Sequence, residues 1–196
     1  MFTGLVQGLG RIVGLERSDD GVRLWVATAL AGELTGGDSI AVNGVCLSAA
    51  GIDRDSFVAE VMNETLARTS LRDADAGSEV NLELPLRASD RLGGHLMQGH
   101  VDGVGSVVRV LDDGFARRIS VEVPHGLSRY IVEKGSIAVD GVSLTVTECD
   151  RETFTVSLIP ETLQRTNLGK ALVGTRVNLE VDVLARYVEK LMRSTV

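Results

Sequence analysis

Apolar and polar residues alternate along Val22 to Thr28 and again along Ile119 to Val123, the period-two pattern of strands with one buried face. Asp19-Asp20-Gly21, Asn43-Gly44, Asp112-Asp113-Gly114 and Asp140-Gly141 punctuate the apolar runs as tight-turn signals. Glu64 to Leu71 and Glu161 to Leu168 lack the alternation, and each predicts one short helix. Val183 to Arg193 places Leu184, Val188 and Leu191 on one stripe, with Arg186, Glu189 and Lys190 elsewhere, as an amphipathic helix does.

The pattern occurs twice. Ser39-Ile-Ala-Val-Asn-Gly-Val-Cys-Leu-Ser48 returns 97 residues later as Ser136-Ile-Ala-Val-Asp-Gly-Val-Ser-Leu-Thr145, identical at seven of ten positions. The same shift carries Glu64–Thr69 onto Glu161–Thr166 and Gly77–Glu83 onto Gly174–Glu180, and a shift of 95 carries Gly4–Gly10 onto Gly99–Gly105. Four blocks in one order establish an internal duplication. About six short strands in fewer than 100 residues must close on themselves to protect their edges. The expected fold is therefore all-β: two tandem six-stranded Greek-key-like β-barrels, at 1–95 and 96–182, followed by the C-terminal helix, 183–196. Residues 86–95, polar and containing Gly93-Gly94, read as the link. The helix has no counterpart after the first copy. Its apolar stripe can pack on its own barrel or mediate self-association, and the sequence leaves both open.

Composition narrows the function classes. A chain of 196 residues with 44% hydrophobic and only 4% aromatic content, 22 glycines and 3 prolines suits short strands and tight turns. The net charge of −7, with no basic cluster, argues against a nucleic-acid partner. No apolar stretch approaches membrane-spanning length, and the glycine-broken start does not read as a signal peptide. Two cysteines, Cys46 and Cys149, make no disulfide framework and suit a reducing cytoplasm.

The informative residues are matched positions whose chemistry differs. Cys46 faces Ser143 across the repeat, Leu5 faces His100, Gly37 faces Lys134 and Pro85 faces Asp182. Such a scaffold can bind two similar molecules and treat them differently; drift between copies is the plainer reading. A lone cysteine is most often a small buried hydrophobe, and a nucleophilic role needs exposure and a depressed pKa. His95 and His100 bracket a loop with no ligand-spaced partner, so no metal site is expected. His100, after Gly99, reads as an acid, base or hydrogen-bond donor at a pocket edge, and His125 as a surface turn. Gly8-Leu-Gly10-Arg-Ile-Val-Gly14 has the wrong spacing and context for a dinucleotide fingerprint.

Met1-Phe-Thr-Gly-Leu-Val-Gln-Gly8, Gly93-Gly-His-Leu-Met-Gln-Gly-His100, the paired Asn/Asp-Gly-Val-Cys/Ser-Leu-Ser/Thr blocks and Ile159-Pro-Glu-Thr-Leu163 closely resemble the riboflavin synthase family over almost the whole chain. The resemblance implies dismutation of two molecules of 6,7-dimethyl-8-ribityllumazine into riboflavin and 5-amino-6-ribitylaminouracil. It implies no cofactor and no metal, a homotrimer held by the C-terminal helix, and active sites between the first barrel of one subunit and the second of another. The pocket it implies takes Gly4, Leu5, Val6, Cys46, Leu47, Ser48 and Glu60, Val61, Met62, Asn63, Glu64 and Thr65 from the first half. The second half supplies Gly99, His100, Val101, Lys134, Ser143, Leu144, Thr145 and Ser157, Leu158, Ile159, Pro160, Glu161 and Thr162. Ser39, Cys46, His100 and Asp182 match positions implicated in catalysis. A non-catalytic lumazine- or flavin-binding antenna protein of the same fold is the alternative, and such proteins tend to lose reactive groups from one barrel.

Overall fold

The structure is a computed structural model that describes residues 1–193. The final three residues of the expected 183–196 segment lie outside the described residues. The first barrel comprises β1 (Gly8–Ser18), β2 (Gly21–Ala27), β3 (Ser39–Val42), β4 (Val45–Asp53), β5 (Ser56–Met62) and β6 (Glu79–Glu83). It closes in the order β1-β2-β5-β4-β3-β6, all antiparallel. The second barrel repeats it with β7 (Gly103–Asp113), β8 (Ala116–Glu122), β9 (Ser136–Val139), β10 (Val142–Cys149), β11 (Thr153–Leu158) and β12 (Arg176–Val181). Pairing β2 with β5 rather than β3 is the Greek-key step, and closure removes every edge.

Alternation selects the inward faces: Val22, Leu24 and Val26 of β2 meet Phe57, Ala59 and Val61 of β5 in one core. Ile119, Val121, Phe154 and Val156 do the same in the other. Register breaks in β1 and β7, and in β4 and β10, fall at matching positions of the two copies. Such bulges bend long strands around a small barrel.

The two expected helices are shorter than their sequence pattern. Helices α1 (Asn63–Arg68) and α2 (Pro160–Arg165) stop where Thr69 and Thr166 turn extended, and a short 3-10 turn follows each. Both threonine hydroxyls donate back to the carbonyl four residues earlier at 2.7 Å, satisfying the final turn while the chain leaves the helix. Helix α3 (Val183–Arg193) follows β12 almost directly.

The barrels meet about a local two-fold. Asn43 and Asp140 adopt φ of 47° and 46°, and each is followed by a left-handed glycine in a tight hairpin. The hairpin tips touch so closely that a Cβ on Gly44 would lie 2.7 Å from the Gly141 nitrogen. Around them the buried Asn43, Asn81, Asp140 and Asn178 and the half-buried Asn167 form a hydrogen-bond network spanning both copies. Phe2, Met97, Ala41 and Ala138 fill a small apolar core beside it. The end of the expected link, 86–95, enters this contact through His95, whose N–H donates to the Thr3 carbonyl, and just beyond it Phe2 and Met97 exchange both backbone hydrogen bonds.

Candidate active site

The segments preceding the two barrels are exchanged. The Cys46 N–H in β4 donates 2.9 Å to the carbonyl of Gly99, which belongs to the lead-in of the second barrel. The Ser143 N–H in β10 donates 2.9 Å to the carbonyl of Gly4, from the lead-in of the first. Val101 accordingly packs on the first core and Val6 on the second. Only glycine permits these approaches: Gly4 and Gly99 lie at φ +76° and +77°, and added Cβ atoms would sit 2.5 and 2.6 Å from the Cβ of Ser143 and Cys46. The site residues expected from the sequence thus form two related clusters rather than groupings by chain half. One joins Gly99, His100 and Val101 to Cys46, Leu47 and Ser48; the other joins Gly4, Leu5 and Val6 to Ser143, Leu144 and Thr145.

Cross-strand pairs share one face of a sheet. Ser39 stands opposite Ser48, and Ala41 opposite Cys46, so the thiol and both hydroxyls lie on the outer face of β3–β4. In the second copy Ser136 pairs with Thr145 and Ala138 with Ser143. Cys46 is half-buried, Ser48 and Thr145 are exposed, and His100 is exposed.

Two buried carboxylates hold the exchanged segments, and sequence reasoning missed both. Glu83 accepts from Thr3 N–H, Thr3 Oγ1–H and Gly4 N–H at 2.6, 2.7 and 2.9 Å. Glu180 accepts from Gln98 N–H and Gly99 N–H at 2.7 and 3.0 Å. Burial raises the pKa of each, and the donors pull it back, the Thr3 hydroxyl first at Glu83 and the Gln98 and Gly99 N–H groups at Glu180. The available signal was a glutamate ending the apolar Val-Asn-Leu-Glu strand in both copies.

The clusters differ chemically. Ser143 Oγ lies 2.7 Å from His95 Nδ1, whereas Cys46 has no histidine at the matching place. His95 is buried, which lowers its pKa, while the charge of Asp182 raises it, and its Nε2 has no partner. Asp182 also accepts from Leu184 N–H at 2.9 Å, capping α3. Lys134, exposed, adopts the left-handed φ of 65° where the first copy has Gly37.

The remaining expected residues are distributed around these clusters. Val61 and Leu158 are buried in the barrel cores, and Met62 and Ile159 are exposed apolar side chains. Glu60 pairs with Arg23 at 2.8 Å, Asn63 donates to the Asp19 carbonyl at 2.6 Å, Glu64 pairs with Arg68, and Glu161 with Arg165 at 2.5 Å. Ser157 is exposed on β11, Pro160 opens α2, and the carbonyls of Thr65 and Thr162 take the threonine hydroxyls described above.

Two clefts of ≈ 710 and ≈ 530 Å³ lie between the barrels near Asp140 and beneath α3, and neither is lined by Cys46, His100 or Ser143. The second is lined by Ser136 and by Asp182 of the expected catalytic set. Among the described residues no group of three or more His, Cys, Asp or Glu could hold a metal ion, and no helix is long and apolar enough to cross a membrane.

The lumazine-binding domain model matches residues 3–85 and 98–182. The riboflavin synthase of Mycobacterium tuberculosis is 50% identical over 202 residues, covering 99% of both chains. Those of Actinobacillus pleuropneumoniae and Bacillus subtilis are 41% and 37% identical, each over 98% of this chain and 90% of the other. The crystal structure of LumP with 6,7-dimethyl-8-(1'-D-ribityl) lumazine superposes with a TM-score of 0.84 at 25% identity, over 92% of this chain and 99% of LumP. LumP with riboflavin gives 0.86 at 27%. With both lumazine-binding domains in place and near-full-length identity to these synthases, the chain belongs to the riboflavin synthase family.

Proposed function

We propose that this protein catalyses the dismutation of two molecules of 6,7-dimethyl-8-ribityllumazine into riboflavin and 5-amino-6-ribitylaminouracil. The observation that carries the reading is the pair of equivalent frames with unequal groups: Cys46 beneath the Gly99-His100 segment in one, Ser143 beneath the Gly4-Leu5 segment in the other. Each frame presents backbone groups to a ring edge and hydroxyls to a ribityl chain, Ser39 and Ser48 in one and Thr145 and Ser157 in the other. Lys134 adds a cation beside the second frame.

The 7-methyl group of the bound lumazine is acidic because its carbanion delocalises into the ring, and His100 is the positioned base. The acceptor ring is activated by addition of a nucleophile, for which Cys46, Ser39 and an ordered water are the candidates. A four-carbon unit then passes from one ring to the other. Two identical molecules are redistributed, so atoms and oxidation level balance within the pair, and neither cofactor nor metal enters. Asp182 acts through His95 and the start of α3. Two rings stack face to face where the first barrel of one subunit meets the second barrel of another, in a homotrimer held by α3. Orientation of the rings there supplies a large part of the rate. The free thiols of Cys46 and Cys149 fit a cytoplasmic enzyme.

The test is purified protein with 6,7-dimethyl-8-ribityllumazine and no added cofactor, followed by absorbance and chromatography. One riboflavin is expected per two lumazines consumed. Tight binding without turnover would instead place the chain with non-catalytic lumazine- or flavin-binding proteins; its structural neighbour LumP binds 6,7-dimethyl-8-(1'-D-ribityl) lumazine.

A further inference from the structure

The geometry points to Arg186 and Asp102 as a positioning pair through which the C-terminal helix holds the His100 segment against the first barrel. This rests on the reading of His100 as the base. The segment Gln98–Asp102 is anchored at three places. Glu180 takes its first two amides, the Gly99 carbonyl takes the Cys46 N–H, and the Asp102 N–H donates 2.8 Å to the Leu179 carbonyl. The Asp102 side chain closes the third anchor: Oδ2 accepts from Val181 N–H at 2.8 Å, and Oδ1 accepts from Arg186 of α3 at 2.6 Å.

Comparison within the chain isolates what is extra. The matching residue in the first copy is Gln7, whose N–H donates to the Leu82 carbonyl and whose Oε1 accepts from Leu84 N–H at 2.8 Å. A neutral amide therefore suffices to extend the ladder there, and no helix follows that barrel. The second copy replaces the amide with a carboxylate whose side chain is only 5% exposed. A buried carboxylate is costly unless a cation or donors meet it. Its additional oxygen goes to the helix. Arg186 is in turn held by a docked element: Asp182 caps α3, and Glu189 accepts from Tyr130 Oη–H at 2.5 Å. His100 stands two residues from Asp102 and is near enough for its charge to act on both Asp102 and Glu180. Loosening Arg186 thus loosens the backbone that carries His100, without touching any residue in contact with the rings.

The test compares Arg186→Gln, Arg186→Lys, Asp102→Asn and the double variant Asp102→Asn/Arg186→Gln in the full-length protein. Arg186→Gln is expected to lower kcat about tenfold with KM changed less than about threefold, since misplacing a catalytic group costs rate more than binding. Arg186→Lys should recover most of the loss, and the double variant should be no slower than the slower single, as for partners in one interaction. Amide hydrogen exchange at Cys46 and Val181, whose acceptors sit on this segment, should quicken in Arg186→Gln and return in Arg186→Lys. Unchanged kcat and exchange in Arg186→Gln would overturn the proposal. So would a lysine variant as slow as the glutamine one, or a rate loss that follows loss of assembly in sedimentation. The exchange arm needs no turnover: a wild-type protein that binds lumazine but makes no riboflavin refutes the reaction, and the exchange rates still decide the coupling.

Discussion

Lys134 holds a left-handed backbone, φ 65°, at the position where Gly37 holds φ 92° in the first copy. The two residues serve their turns identically through the main chain. The Gly37 N–H donates to the Ala49 carbonyl and the Lys134 N–H to that of Val146, each at 2.8 Å. A side chain with a Cβ costs about 1 kcal/mol there, and glycine costs nothing sterically. The strain persists at a position that the family resemblance assigns to the pocket, which argues that the ammonium group is used.

Lys134→Gly should therefore separate stability from activity. Relief of strain is offset by the freer unfolded chain, so the variant is expected to be neutral or more stable by up to about 1 kcal/mol. Riboflavin formation should fall at the same time. Thermal melts beside steady-state kinetics check this, and a variant that melts earlier and turns over normally contradicts it.

Gly4→Ala and Gly99→Ala should each damage one lumazine site. Neither glycine has room for a Cβ, and both have positive φ, so the exchanged segment must lift from its strand. A loss of about 2 kcal/mol or more is expected from backbone strain and the broken hydrogen bond together. Gly99→Ala should weaken the site beside Cys46, and Gly4→Ala the site beside Ser143. Titrating lumazine fluorescence with each variant counts the surviving sites. Two intact sites in either protein would refute the assignment.

How much of this was legible beforehand differs by feature. The duplication, the closed barrels and the hairpins at Asn43-Gly44 and Asp140-Gly141 follow from local signals repeated at a fixed spacing. The exchange of Gly4 and Gly99 between barrels left no such trace, because it is made of backbone contacts between distant segments. Glu83 and Glu180 did leave one, a charge closing an apolar strand in both copies, but their partners are main-chain amides that no side-chain pattern reveals. Thr69 and Thr166 ended the short helices early through their own hydroxyls, an effect below the resolution of a period-based reading. The sequence offers His95 only as a metal ligand lacking partners, whereas its contact with Ser143, which marks the chemical difference between the clusters, joins residues 48 positions apart.

Asp140 makes stability depend on pH. It replaces Asn43 at the two-fold and is fully enclosed, and burial raises its pKa to about 7 against the pull of Asn178 N–H and the Asn167 amide. The unfolded chain releases this proton near pH 4 and the folded chain not until about 7, so across that window the folded state binds more protons. Stability from this group is present at low pH, declines as pH rises through the window and is flat above it. Glu83, Glu180 and Asp102 are raised as well and act with the same sign. Asp140→Asn removes only the first contribution. It should be less stable than wild type at pH 5, having lost the Asn167 hydrogen bond, about 1 kcal/mol. At pH 8 it should equal or exceed wild type. Urea midpoints at the two pH values test this, and parallel shifts at both would refute it.

The apolar stripe of α3 is the other part of the chain whose role depends on assembly. Leu184, Tyr187, Val188, Leu191 and Met192 are each more than half exposed, on a helix whose polar side is tied to its own barrel through Arg186 and Glu189. Among the described residues the chain thus uses the helix's polar groups and leaves most of this stripe's surface exposed, unlike a helix packed on its own core. Leu191→Glu places a charge within that stripe and touches no residue of either cluster. It should give a monomer in analytical ultracentrifugation at micromolar protein, with an unchanged melting profile for the barrels. Each cluster is assembled within one chain, Gly99 with Cys46 and Gly4 with Ser143, so the monomer should still bind lumazine. On the proposed trimeric arrangement of the two rings across subunits, it should form no riboflavin. A trimeric variant would show that the stripe is not the contact, and a fully active monomer would return both rings to a single chain.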